Sequence, residues 1–140
     1  EQYQLAPWIK INWVVSREDA LRMKRDAHAL LFLAWNDLST DGVMTGKLFE
    51  YLFSKTPILS ISHHGIEAAQ KLILEANAGI VYTHPHEIAE WLRHQLMMPE
   101  KKQVQVDLQI LSRYERDHLA EKLYRHIATE LLESRSFIDK

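Results

Sequence analysis

The residues best suited to chemistry lie in the run Trp35-Asn36-Asp37-Leu38-Ser39-Thr40-Asp41-Gly42-Val43-Met44-Thr45-Gly46-Lys47 and in the turn that follows it. Leu48, Tyr51 and Leu52 recur at helical spacing, which puts Gly46 and Lys47 at a helix N-terminus. The first N–H groups of a helix have no intrahelical partner, and the positive end of the macrodipole favours an anion there. Gly46 permits close backbone approach and Lys47 adds a positive charge, so the segment Thr45-Gly46-Lys47 is a candidate phosphate cradle. The same pattern also describes an ordinary loop end. Glu50, one turn later, has two readings. It can stabilise the helix dipole, or its carboxylate can accept hydrogen bonds from two adjacent ribose hydroxyls, as acidic residues do in dinucleotide folds. The phosphate-loop pattern is absent, because Leu48 follows Lys47 and position 41 is Asp rather than Gly, so an ATPase of that type is excluded.

Three other loops border the same region in an alternating strand–helix order: Ser16-Arg17, Ser62 to Gly65, and Thr83-His84. Ser16, Asn36, His64 and Gly65 are therefore candidate edge residues of the site. His63-His64 and His84-Pro85-His86-Glu87 carry the residue types of a zinc site but no closed four-ligand set, and Pro85 with Glu87 reads as a helix start. No metal is expected. Trp8, Trp35 and Trp91 read as packing residues.

The elements that must position these groups follow from the apolar periods. Ile9, Ile11, Trp13 and Val15 alternate, which predicts a strand with one wet face, and Ser16 with Glu18 and Asp19 opens a helix to about Arg25. His28 to Ala34, Pro57 to Ile61 and Gly79 to Tyr82 are continuous apolar runs and predict parallel strands covered on both faces. Between them lie helical faces: Leu48, Tyr51 and Leu52; Ile66, Ala69, Leu72, Ile73 and Ala76; Ile88, Trp91, Leu92 and Leu96. The fold class is α/β: a doubly wound, Rossmann-like parallel sheet of four or slightly more strands, helices on both faces, and a ligand crevice at the carboxyl ends of the strands. Residues 99–111 form a charged connector, with Val104 to Ile110 alternating like an edge strand. Ser112 and Glu115 form a capping box for a long amphipathic helix over 112–134, marked by Leu119, Leu123, Ile127 and Leu131.

At 140 residues with 46% hydrophobic and 26% charged positions, one ordinary globular core is expected. The absence of cysteine excludes a disulfide scaffold, a thiolate zinc site and a Cys nucleophile, and suits a reducing compartment. A formal charge of −2 gives no global field for nucleic acid, and no apolar stretch is long enough to span a bilayer. Glu1-Gln2-Tyr3-Gln4 has neither a basic leader nor an initiator Met and reads as a chain that began earlier.

The string Gly46-Lys47-Leu48-Phe49-Glu50-Tyr51-Leu52, followed by Lys55-Thr56-Pro57-Ile58-Leu59, resembles the signature of family 4-like glycosyltransferases of the GT-B fold, in their C-terminal, nucleotide-sugar-binding half. Ser16-Arg17 with Ala20-Leu21, then Asp26-Ala27-His28-Ala29-Leu30-Leu31, Glu75 to Gly79, and Tyr114-Glu115-Arg116 fall in the family's order, so the resemblance covers about residues 9–132. It implies that Glu50 binds the donor ribose and that Thr45, Gly46 and Lys47 approach the donor diphosphate. The family's first motif glutamate falls at position 42, which is Gly here, so no sugar contact is assigned to Asp41. Trp13 lies where the family often has Gly beside the nucleobase.

The implied activity is retaining transfer of a hexosyl-type sugar from a nucleotide-diphosphate sugar, with no metal and no cofactor. Residues 1–98 would be an incomplete donor domain, and its partner would be an N-terminal acceptor-binding domain that holds the catalytic groups. The fragment alone is expected to be inactive. The expected location is the cytoplasm, with attachment of the full-length protein to the inner face of the membrane as a further option. The alternative is a non-catalytic signalling or interaction module, since doubly wound folds host many functions.

Overall fold

The computed structural model describes residues 6–33, 44–62, 65–98 and 103–138. A short 3-10 turn, Ala6–Trp8, is followed by α1 (Arg17–Asp26), β1 (Leu30–Leu33), α2 (Gly46–Phe53), β2 (Ile58–Ile61), α3 (Ala68–Glu75), β3 (Gly79–Tyr82), α4 (Pro85–Met97), α5 (Leu108–Ser112) and α6 (Arg116–Ile138). The strands form one parallel sheet in the order β1-β2-β3, with Leu30, Ile58 and Gly79 in register. The alternation of apolar runs with helical faces thus produces an α/β fold with parallel strands, helices between them and a long C-terminal helix.

The core lies on the sheet face that carries Phe32 and Ile58. Leu48 and Leu52 of α2 and Leu72 and Ile73 of α3 pack on it, and Leu111 of α5 closes the cluster. The predicted face of α2 is correct in its buried members, and so is that of α3 from Ala69 to Ala76. Ile66 is exposed and precedes α3, which begins instead with a reciprocal cap: the Glu67 side chain accepts from the N–H of Gln70, and the Gln70 side chain accepts from the N–H of Glu67. Pro85 stands at the first position of α4, as its fixed φ favours.

Four expectations are corrected. Ile9 to Val15 is not a strand, and the described residues contribute three strands to the sheet. Its apolar residues stand in solvent, Trp13 at 90% exposure, because alternation makes a strand only where a neighbour supplies the ladder, and the outer edge of β1 is unpaired among the described residues. Of the run His28 to Ala34, Leu30–Leu33 is a strand with one covered face and Ala34 lies outside the described residues: Leu30 and Phe32 are buried, whereas Leu31 and Leu33 are 49% and 62% exposed. An apolar run shows that both faces are hydrophobic, not that both are covered.

The alternating segment after Gln103 is no edge strand. Its N–H groups are taken singly, Val104 donating to the Lys55 carbonyl at 3.1 Å and Asp107 to that of Ala76 at 2.9 Å. Asp107 then accepts from the N–H groups of Gln109 and Ile110 and starts α5, a helix the apolar pattern did not predict. The Ser112–Glu115 capping box does not form, since the Ser112 hydroxyl donates to the Gln109 carbonyl at 2.9 Å inside α5. The long helix therefore starts at Arg116, and its stripe Leu119, Leu123, Ile127 and Leu131 is exposed. Among the described residues no helix is long and apolar enough to cross a membrane.

Candidate functional site

Helices α1 and α2 lie side by side and flank a groove of about 400 Å³. Its apolar wall is Leu21, Phe49 and Phe53; its polar groups come from Lys24, Arg25, Gly46 and Glu50. Lys24 is carried on the last turn of α1, and the buried Thr56 hydroxyl donates to the Lys24 carbonyl at 2.8 Å, tying that turn to the α2–β2 connection. The Lys24 side chain is mostly covered, 19% exposed, and its ammonium donates to Glu50 Oε2, whose side chain is 57% exposed. The carboxylate is thus oriented from beneath by a nearly buried cation while its outer lobe faces solvent.

The hydrogen bond from Lys24 and its charge, with a smaller contribution from Arg17, hold the Glu50 carboxyl below the ordinary glutamate range. A depressed folded-state value means that the pair's contribution is complete above the ordinary glutamate range and is lost as pH falls through the depressed value. Urea unfolding of the parent and of Glu50→Gln should therefore differ at about pH 7, and the difference should shrink as pH falls through and below the ordinary glutamate range. The difference should be small and should shrink with salt, because the carboxylate is exposed.

At the start of α2, Thr45 is extended and no side chain caps the helix; Leu48 N–H closes on the Thr45 carbonyl at 3.0 Å. The space beside Gly46 is open, with nothing within 4 Å of where a Cβ would sit. The open glycine, the uncapped helix start and the oriented carboxylate lie on one side of α2. This arrangement can receive a ligand that carries an anion and a pair of neighbouring hydroxyls.

The other candidates separate from this cluster. Lys47 does not line the groove; its ammonium lies 5.6 Å from the centre of the Tyr51 ring. Ser16 is the N-cap of α1: its hydroxyl accepts from Asp19 N–H at 3.0 Å and donates to the Asp19 carboxylate at 2.7 Å. Ser16→Ala should cost about 1 kcal/mol of stability, read from the urea midpoint, and leave ligand binding unchanged. Gly65 has φ 108° and its carbonyl accepts from the Ser62 hydroxyl, so it shapes the turn after β2 and does not line the groove. Asn36 and His64 lie outside the described residues.

Lys24 and Arg25 join the site although nothing in their own pattern marked them. Two basic residues in the last turn of a helix read as ordinary dipole compensation, and only the approach of the end of α1 to α2 brings Lys24 to Glu50. Of the histidines, His84 is the N-cap position of α4 and His86 Nε2 is 3.7 Å from Glu90 Oε1, an exposed pair on one helix face. No group of three or more His, Asp or Glu positioned to hold a metal ion occurs among the described residues.

Among the described residues the fold and groove define a parallel α/β unit of three strands with a carboxylate and a helix start on one rim. No protein-family model, no curated protein and no solved structure matches the chain.

Proposed function

We propose that the chain is the donor-binding half of a GT-B, family 4-like glycosyltransferase, which takes a sugar from a nucleotide-diphosphate sugar. The observation that carries this reading is the placement of Gly46 and Glu50 on one groove, with Lys24 orienting the carboxylate. In this reading Glu50 accepts the ribose hydroxyls. The N–H groups at the uncapped start of α2 receive the diphosphate, and Lys24 and Lys47 supply positive charge nearby. No metal is part of this reading.

The exposed outer face of β1 and its edge, unpaired among the described residues, fit a doubly wound sheet that further strands and helices would extend. The acceptor and the catalytic groups belong to the N-terminal domain in this reading. Transfer requires donor and acceptor held together, so the 140-residue chain alone should show no sugar transfer in a radiolabel assay, with or without added acceptors.

Calorimetric titration with a nucleoside, its diphosphate and the matching nucleotide sugar tests the proposal. The diphosphate and the nucleotide sugar should bind, with affinity falling as salt rises, and the nucleoside should bind much more weakly. Absence of diphosphate binding would favour the non-catalytic module.

A further inference from the structure

A second groove, of about 460 Å³, lies between α4 and the segment after Gln103. Its size falls within the roughly 300–1,000 Å³ of small-molecule sites. Trp91 and Gln95 of α4 form one wall, Gln103 and Gln105 the other, and Asn77 stands at one end. None of the residues that line it carries a charge.

The groove is built rather than incidental. The Gln103 wall is fixed by three ties to separate parts of the fold: Val104 N–H to the Lys55 carbonyl at 3.1 Å, Asn77 Nδ2 to the Gln105 carbonyl at 3.1 Å, and Asp107 N–H to the Ala76 carbonyl at 2.9 Å. Asn77 holds its tie from a left-handed backbone conformation, φ 51°. On the opposite wall Gln95 is 9% exposed, yet among the described residues its side-chain amide makes no hydrogen bond. Its amide atoms are not fully enclosed, which leaves them open to a ligand in the groove that the residue borders.

The lining selects the ligand. A nucleotide or any other anion would need a cation or a helix start, and the groove offers neither. Carboxamides each present a donor and an acceptor, the pair needed by a sugar hydroxyl and its neighbour, and a half-buried Trp supplies apolar ring surface for the C–H faces of a pyranose. We propose that this groove is a binding site for an uncharged saccharide, separate from the Glu50 groove, with Gln95 as its buried hydrogen-bonding group and Trp91 as its packing surface. The site stands on its own residues and does not depend on the proposed transferase activity.

The test is a titration of the labelled chain with four neutral trisaccharides, of glucose in α and in β linkage, of N-acetylglucosamine and of mannose, followed by the Trp91 indole and Gln95 side-chain amide resonances. At least one should move both signals saturably in the millimolar range or below. Gln95→Leu should weaken that binding at least about tenfold without lowering the melting temperature, because it removes an amide that the protein itself leaves unpaired. Trp91→Phe, which keeps a ring, should weaken it less than Trp91→Ala, and Glu50→Ala should leave it unchanged. The proposal is overturned if no trisaccharide moves either signal, if Gln95→Leu binds like the parent, or if a free nucleoside or a neutral peptide saturates the groove at lower concentration than every sugar.

Discussion

Gly79→Ala is expected to disrupt the pairing of β2 with β3 and to cost about 3 kcal/mol or more, beyond the usual range for an overfilled core. Gly79 is in register with Ile58 in the central strand, and a Cβ built on it would lie 2.0 Å from the Ile58 carbonyl oxygen, 2.7 Å from its carbonyl carbon and 2.8 Å from its nitrogen. These are backbone atoms of the residue at the centre of the core, which cannot turn aside as a side-chain tip would. The strand must separate or the register must shift, and either exposes Ile58, Leu72 and Ile73. A lowered urea midpoint with loss of near-ultraviolet dichroism is the expected reading. A midpoint within a few tenths of the parent would show that β2 and β3 are spaced more widely than the register requires.

The second large effect concerns ligand rather than fold. Glu50→Ala should weaken nucleoside-diphosphate binding about ten- to a hundredfold, the range for hydrogen bonds to a charged acceptor, while the melting temperature at neutral pH barely moves. The exposure of Glu50 explains the second half: an exposed ion pair adds little to folding. Lys24→Met, which keeps the stem that fills the space under α2, should also weaken binding, and more so at low salt, because it removes both the carboxylate's support and a positive charge. Loss of the Glu50 bonds should depend less on salt, since they go to neutral hydroxyls. If Glu50→Ala and the parent bind the diphosphate alike while only their acid stability differs, Glu50 is an ion-pair partner of Lys24 and no ribose ligand.

The sequence was most legible where burial is complete. Leu48 and Leu52, or Leu72 and Ile73, can face only a core, so helical spacing located α2 and α3, and the strand runs at Ile58 and Gly79 were read almost to the residue. It misled at the margin of the sheet. Ile9 to Val15 has strand-like alternation and Leu31 and Leu33 are apolar, but pairing and cover depend on what lies beside them, and a sequence pattern does not contain its neighbour. Local hydrogen bonding settled the C-terminal third differently from periodicity: the Asp107 side chain, by capping two N–H groups, turned an apparent strand into the start of α5.

The candidate site divides in the same way. Gly46 and Glu50 were visible because both belong to one helix, whose geometry fixes their relation. Lys24 was invisible because its role depends on where the end of α1 meets the chain around α2, a placement held in part by the Thr56 hydroxyl far away in sequence. Lys47 shows the converse. Its charge suggested the diphosphate, yet its ammonium is placed over the Tyr51 ring, an attraction that a ligand anion would have to outcompete.

The central claim is that a nucleoside diphosphate binds the chain at the rim formed by Gly46, Glu50 and Lys24. Its most direct test is a backbone-amide titration of the labelled chain with a panel of nucleoside diphosphates. The account predicts that one of them shifts the amides of Gly46 and Lys47 most strongly, moves the Glu50 carboxyl and Lys24 ammonium resonances in the same saturating curve, and leaves Trp91 and Gln95 undisturbed. Saturable binding that bypasses residues 45–50, or no shift with any diphosphate, would contradict it.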